Sequence, residues 1–199
     1  MPKAQNVFGP FLNYIFNLYT KFITRKFGQV GSGVSIRPIL NTSGVKNIYL
    51  GNDVSIGILS WIGTNDSLIK NPSLKIGNRV HIGAYAMIIA AGKINIGNNV
   101  LMSERVTIVD HIHDYRDVSK AVIDQPIVSK GKIIIEDDCF IGVNSVIMGA
   151  VHIGKHAIVG ANAVVTGNVP PFAVVAGAPA KVIKKYDFKE KKWVATSKK

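Results

Sequence analysis

The feature that most constrains this chain is an aliphatic residue that recurs every six positions. In the C-terminal half these aliphatics are Ile135, Ile141, Ile147, Ile153, Val159 and Val165, and the residue four places after each is small or β-branched. A hexad is too short for a helix followed by a strand, but it suits one short strand and one turn with the aliphatic pointing inward. Stacked coils of such hexads bury a column that no single coil could bury. The repeat therefore predicts an all-β solenoid.

The same repeat extends towards the N-terminus with interruptions. Aliphatic–glycine pairs recur at Leu50-Gly51, Ile56-Gly57, Ile62-Gly63, Ile76-Gly77, Ile82-Gly83 and Ile96-Gly97. Residues 109–134 then break the hexads with a polar segment that contains Asp110, His111, His113 and Asp114. Because long loops on a rigid scaffold often carry binding and catalytic groups, this projecting loop is the first candidate for a functional site.

An amphipathic helix is predicted near the N-terminus, over residues 10–27. Its apolar residues recur at spacings of three and four, at Phe11, Leu12, Ile15, Leu18, Tyr19, Phe22 and Ile23, and Asn13, Asn17, Thr20 and Thr24 take the opposite face. The polar interruptions make a transmembrane span implausible. A basic amphipathic helix can lie on an anionic membrane surface, and it can equally pack on the body or on a neighbouring subunit.

These patterns divide the chain into three regions. Residues 1–30 are the N-terminal amphipathic helix, residues 31–169 are the β-helix domain with its projecting loop at 109–134, and residues 170–199 are a C-terminal cap and basic tail. Pro170-Pro171 and Gly177-Ala178-Pro179 end the repeat. The lysine-rich segment from Lys181 onward is predicted to be a short helix or tail that caps the solenoid.

Charge and cysteine content limit the partners and the compartment. The formal charge of +12 is concentrated at the ends, with four basic and no acidic residues in 1–27, and eight lysines against two acids in 181–199. The central body holds twelve basic and ten acidic residues, so it lacks the basic stripe of a nucleic-acid groove and we expect no nucleic-acid partner. Cys139 is the single cysteine, which favours a reducing, cytoplasmic setting.

Five motifs resemble those of the hexapeptide-repeat acyltransferases, in the group that contains galactoside and maltose acetyltransferases and polysaccharide O-acetyltransferases. They lie at residues 96–101, 110–113, 141–147, 158–166 and 176–183, and the resemblance covers roughly residues 34–186. It implies a left-handed parallel β-helix, an exception to the right-handed crossover rule. It also implies a homotrimer with active sites between subunits, and acetyl-CoA bound as co-substrate in the groove between adjacent prisms.

The same resemblance implies a histidine that acts as general base on an acceptor hydroxyl, a role that suits neutral imidazole. An ungapped match puts the base on His113, which is the residue we expect to be catalytic, whereas a two-residue gap would move it to His111. Asp110 or Asp114 would orient the ring. His81 joins these two histidines in a competing interpretation, a zinc-dependent carbonic anhydrase-like lyase, although the loop is a poor frame for zinc and we expect no metal.

The cofactor contacts are also carried over from the resemblance. The backbone N–H of Val143 would face the thioester oxygen, and its neighbour Gly142 can also be a plain turn glycine. Further contacts fall on Ala161, Thr166, Lys181 and Lys184, where the lysines would meet the CoA phosphates or simply form a solvated tail.

The function predicted by these residues is transfer of an acetyl group from acetyl-CoA to a saccharide hydroxyl, in surface polysaccharide biosynthesis. The N-terminal helix adds the alternative of contact with the inner face of the membrane. N-acetylation of a nucleotide-linked amino sugar is the main rival, because the same base could deprotonate an ammonium. A non-catalytic trimeric scaffold is a third interpretation.

Overall fold

Short strands and turns alternate along the chain in the computed structural model, which describes residues 9–66 and 71–196. One helix, α1 (Pro10–Thr24), precedes the strands. The strands are β1 (Gln29–Val30), β2 (Ser35–Ile36), β3 (Asn41–Ser43), β4 (Ile48–Leu50), β5 (Ser55–Ile56), β6 (Trp61–Thr64), β7 (Ser73–Ile76), β8 (His81–Ile82), β9 (Met87–Ala90), β10 (Lys93–Ile96), β11 (Leu101–Met102), β12 (Thr107–Val109), β13 (His111–His113), β14 (Ile127–Ser129), β15 (Lys132–Ile135), β16 (Phe140–Ile141), β17 (Val146–Met148), β18 (Val151–Ile153), β19 (Ile158–Val159), β20 (Val164–Val165), β21 (Ala173–Ala176), β22 (Lys181–Asp187) and β23 (Lys192–Ala195). Single 3₁₀ turns lie at Val45–Asn47 and Val122–Asp124.

Apart from β13 and β14, the strands form three sheets, the sides of a prism, in which all neighbours are parallel except β22 and β23. Sheet A consists of β1, β4, β7, β10, β15 and β18, sheet B of β2, β5, β8, β11, β16, β19, β21, β22 and β23, and sheet C of β3, β6, β9, β12, β17 and β20. Equivalent hexad positions pair directly, as Ile88, Ile108 and Ile147 do in sheet C, and all three side chains are fully buried. The predicted all-β solenoid is therefore confirmed.

Helix α1 covers the N-terminal end of the prism. Tyr19 and Ile23 pack against the core, and the Thr20 hydroxyl accepts a hydrogen bond from the Ile36 N–H at 2.9 Å. Thr20, expected on the polar face, is therefore buried, because its hydroxyl satisfies the open edge of β2. The helix ends at Thr24, three residues before the predicted Phe27, and residues 1–8 of the predicted N-terminal region lie outside the described residues.

The C-terminal segment differs from the predicted short helix or tail. Its strands β22 and β23 form an antiparallel hairpin on the edge of β21, and residues 197–199 lie outside the described residues. The parallel part of sheet B also continues past residue 169, to β21. The last coil of a solenoid leaves backbone N–H and C=O groups unpaired, and the hairpin satisfies them. Tyr186 and Trp193 then pack across the hairpin, with ring centroids 5.4 Å apart.

A second hairpin leaves the prism between sheets C and A. Strands β13 and β14 pair antiparallel, with His111 opposite Ser129 and His113 opposite Ile127. The chain enters this histidine hairpin from β12 and returns into β15, which pairs with β10 as if no residues intervened. The polar segment thus projects without disturbing the stack of coils.

Candidate functional site

The root of the histidine hairpin holds a buried carboxylate against a histidine ring. Asp110 is fully buried, and its two oxygens accept hydrogen bonds from the N–H groups of Ala91 and Gly92, each at 2.8 Å. His111 Nδ1 lies 3.3 Å from Asp110 Oδ1. Because a carboxylate only accepts, Nδ1 carries the proton, and Nε2 keeps a lone pair that can take a proton from another group. The His111 side chain is 15% exposed, so the ring is not sealed from solvent.

The second acid of the hairpin has a different partner. Arg116 donates from Nε to both carboxylate oxygens of Asp114, at 2.8 and 3.0 Å, and these bonds hold the pKa of the Asp114 carboxyl well below its usual range. His113 is exposed and forms no hydrogen bond with any described residue. Of the two acids expected to orient a ring, Asp110 therefore contacts His111, and Asp114 fixes the hairpin.

The turns that pass from sheet B to sheet C form the BC corner, residues 37–40, 57–60, 83–86, 103–106, 142–145 and 160–163. Val143 is the second residue of its turn, and its N–H donates to no described residue. At the equivalent position of the turns from sheet A to sheet B, the N–H of Asn78 donates to Asn98 Oδ1 at 2.9 Å. The BC corner therefore presents an open backbone donor, a difference between corners that the hexad repeat does not encode.

Gly142, beside Val143, is fixed by the stacking of the coils. A Cβ on Gly142 would lie 2.6 Å from the backbone nitrogen of Ala161 on the next coil. The two coils are also joined by a hydrogen bond from the Asn162 N–H to the Val143 carbonyl, at 2.9 Å. The close stacking of the coils therefore explains glycine at position 142 whether or not a cofactor binds there. Val143 and Ala161 lie on adjacent coils of the same corner.

The lysines predicted to meet a cofactor share one outward face. Lys181 pairs with Ala176 and Lys184 with Val174, because a bulge in β22 shifts the register between them. Cross-strand partners share a face, and Val175 between those partners is buried, so both lysines point outward. Without the bulge, their odd spacing would put them on opposite faces.

Thr166 lies at the C-terminal end of the prism. It lines a cavity of about 280 Å³ together with Lys181, so these two predicted residues are close to each other. The remaining predicted contacts, Gly142, Val143 and Ala161, lie at the BC corner. The predicted cofactor residues thus form two adjoining groups at the C-terminal half of the prism.

The predicted base and the predicted cofactor contacts of the BC corner lie at opposite edges of sheet C, whereas Thr166 follows β20 at the same edge as the hairpin. The histidine hairpin leaves where sheet C passes to sheet A, and Val143 and Ala161 lie where sheet B passes to sheet C. Within one chain these two groups therefore flank the sheet. His81 is on sheet B, where Nδ1 lies 2.7 Å from Ser55 Oγ, so one chain does not bring the three histidines of the zinc interpretation together.

Cys139 is not a nucleophile at neutral pH. Its thiol is buried, and burial raises its pKa to about 11. The thiolate, which is the reactive form, is therefore scarce at neutral pH.

Comparison with known proteins agrees with this fold. A family model described as the hexapeptide repeat of succinyl-transferase matches residues 132–167. A Mycobacterium tuberculosis protein named as an acetyltransferase is 33% identical over 81% of this chain and 51% of its own length. The Escherichia coli protein WbbJ, named as a lipopolysaccharide biosynthesis O-acetyl transferase, is 29% identical over 73% of this chain and 79% of its own length.

Among solved structures, the chain is similar to the N-acyltransferase AntD from Bacillus cereus, in a mutant complexed with dTDP and coenzyme A. The TM-score is 0.71 at 22% identity, and the match covers 86% of this chain and 90% of that chain. This likeness establishes the left-handed parallel β-helix.

The described residues thus define a left-handed β-helix with an Asp–His pair on a projecting hairpin. The chain belongs to the hexapeptide-repeat acetyltransferase family. It spans about half the length of the mycobacterial relative. Within the described residues, no helix is long and apolar enough to cross a bilayer.

The Asp110 contacts predict a specific loss of stability. Asp110→Asn replaces one acceptor with an NH₂ group that faces a backbone N–H, so we expect the free energy of unfolding to fall by about 1–3 kcal/mol. Asp124→Asn, in the same hairpin but exposed, should cost less than about 0.5 kcal/mol. Urea unfolding of both variants measures the difference, and equal values would contradict the assigned role of Asp110.

Proposed function

We propose that this chain is an acetyl-CoA-dependent O-acetyltransferase that acts on a saccharide hydroxyl. The observation that carries the proposal is the Asp110–His111 contact on a hairpin beside the prism. His111 Nε2 takes the proton of the hydroxyl as its oxygen attacks the thioester carbon. The C–O bond forms, the C–S bond breaks, and the imidazolium returns the proton to the departing CoA thiolate.

Charge that develops on the thioester oxygen needs a fixed donor. The open N–H of Val143 supplies one without reorganisation, since no described residue competes for it. Along the same corner follow Ala161 and then the outward lysines Lys181 and Lys184. This order matches the order of thioester, pantetheine chain and phosphates in acetyl-CoA. We therefore propose that the cofactor lies along the BC corner beside Gly142, and that Thr166 meets its phosphate end through the cavity that it shares with Lys181.

A complete site requires a second copy of the chain in this proposal. The base and the cofactor row lie at opposite edges of sheet C. From β6 onward the outward positions of that sheet are mainly apolar: Trp61, Gly63, Met87, Ile89, Thr107, Val109, Val146, Met148 and Val164, whereas β3 presents Asn41 and Ser43. An apolar sheet face between two halves of a site suits a neighbouring prism. We therefore propose a homotrimer in which the hairpin of one copy faces the BC corner of the next.

The acceptor is proposed to be a sugar hydroxyl because of the name of the Escherichia coli relative. One observation favours a second candidate: AntD, similar in fold, is an N-acyltransferase solved with dTDP-4-amino-4,6-dideoxyglucose and coenzyme A. The same base would serve an amino sugar. The two candidates differ only in the acceptor atom that loses a proton.

The outer face of α1 supports a peripheral membrane contact. Phe11 and Phe22 are 73% and 72% exposed and Leu18 is 49% exposed, so an apolar stripe points away from the body. Residues 1–52 contain six Lys or Arg and no Asp or Glu. An exposed apolar stripe with surrounding positive charge suits an anionic membrane surface, which in a cytoplasmic protein is the inner face of the membrane.

The membrane contact predicts that the chain floats with anionic phospholipid vesicles in a density gradient. Phe11→Ser/Leu18→Ser/Phe22→Ser should abolish flotation by removing buried apolar area, whereas Asn17→Ser on the same helix should float like the wild type. Unchanged flotation of the triple variant, or a change in its oligomeric state instead, would show that the exposed face of α1 binds a surface other than a membrane.

The base assignment predicts a large loss of activity in one variant. With acetyl-CoA and a panel of sugars, nucleotide sugars and polysaccharide fragments, His111→Ala should lower acceptor-dependent thiol release by about 10²–10⁴-fold. His152→Ala, an exposed histidine on sheet A, is the control and should be unchanged. Loss of activity in His113→Ala alone would instead assign the base to His113, the residue given by the ungapped match. Release that survives both hairpin substitutions would overturn the mechanism.

A further inference from the structure

A cavity of about 290 Å³ opens at the root of the histidine hairpin, on the side of sheet A. Its walls are Asn71, Gly92, Lys93, Ser129, Gly131 and Lys132. None of these residues belongs to the predicted cofactor contacts. The cavity therefore represents a separate feature of the site.

Two lysines stand side by side at this cavity. Lys93 in β10 and Lys132 in β15 are direct partners in the parallel register, so their backbones are about 4.8 Å apart. Both are exposed, and neither forms an ion pair with a described residue. Like charges on directly paired positions repel each other, and a bound anion would remove that repulsion.

The cavity adjoins the Asp110–His111 pair through Gly92 and Ser129. The Gly92 N–H donates to Asp110 Oδ2 at 2.8 Å, and a Cβ on Gly92 would lie 3.0 Å from both Asp110 Oδ2 and Ser129 Oγ. Ser129 is in turn the cross-strand partner of His111, so their side chains share a face of the hairpin. A molecule held between the lysines would thus lie next to the ring proposed as the base.

We propose that Lys93 and Lys132 bind an anionic group of the acceptor, a phosphate or a carboxylate, and that the acceptor is an anionic saccharide. This inference rests on the proposed function. The lysines of β22 already serve the cofactor phosphates at the other edge of sheet C, so this second pair is left for the acceptor. A sugar diphosphate and an acidic sugar share the required chemistry, and the cavity holds the charged group while a hydroxyl faces His111.

The binding test uses two probes, pyrophosphate and glucuronate, titrated into the full chain by calorimetry without acetyl-CoA. We expect saturable binding of at least one probe, weakened about tenfold or more in Lys93→Gln/Lys132→Gln because charge-assisted hydrogen bonds are lost. Lys189→Gln, an exposed lysine on the C-terminal hairpin, is the matched control, and Lys132→Arg should retain binding. Preference for pyrophosphate indicates a phosphorylated acceptor, and preference for glucuronate an acidic sugar.

Two results would overturn the inference. One is no saturable binding of either probe, and the other is equal affinity in the wild type and the double glutamine variant. Acetyl-CoA binding, measured in the same variants, should be unchanged, and its loss would reassign the lysines to the cofactor. These titrations do not depend on catalysis. The probes can therefore fail to bind to a protein that transfers acetyl groups, and they can bind to a protein that does not.

Discussion

Stacking of the aliphatic column fixes the rest of the structure. Ile88, Ile108 and Ile147 lie in register in the prism interior, and each coil can bury its aliphatic residue only against the coils before and after it. The close spacing of coils also decides which residues fit at the corners, as the contact between Gly142 and the Ala161 nitrogen illustrates. Side chains that carry chemistry are therefore confined to the outer faces, the corners and the inserted hairpin.

This confinement explains how a repetitive scaffold carries a specific site. At the corners between sheets A and B, side chains such as that of Asn98 accept the turn N–H groups, so those N–H groups are not free to bind a ligand. At the BC corner the Val143 N–H stays open, and at the far edge of sheet C the buried Asp110 holds His111. The reactive groups thus lie where the chain departs from the repeat. One departure is the turn whose N–H no side chain caps, and the other is the histidine hairpin that interrupts a coil.

The sequence predicts the interior of the solenoid well, and its two ends less well. The six-residue period determines the inward aliphatics, so the solenoid followed from Ile135 to Val165 alone. Polar contacts carry no such period: the burial of Thr20 depends on the open edge of β2, and the C-terminal hairpin on the unpaired edge of β21. At the site, the polar segment indicates His111 and His113 as candidates, but the contact of Asp110 with His111 and the bulge that aligns Lys181 with Lys184 depend on three-dimensional register. The paired lysines Lys93 and Lys132 are 39 positions apart, and only the coil register brings them together.

The central claim is that the hairpin of one copy and the BC corner of another complete the site. Subunit complementation tests it: His111→Ala removes the base, and Ala161→Trp blocks the proposed cofactor row on an exposed turn. Each variant alone should be inactive. Unfolded together and refolded as a 1:1 mixture, they should recover about a quarter of the wild-type activity, because that share of interfaces joins an intact hairpin to an intact corner. Mixed oligomers that form but remain inactive would contradict the account.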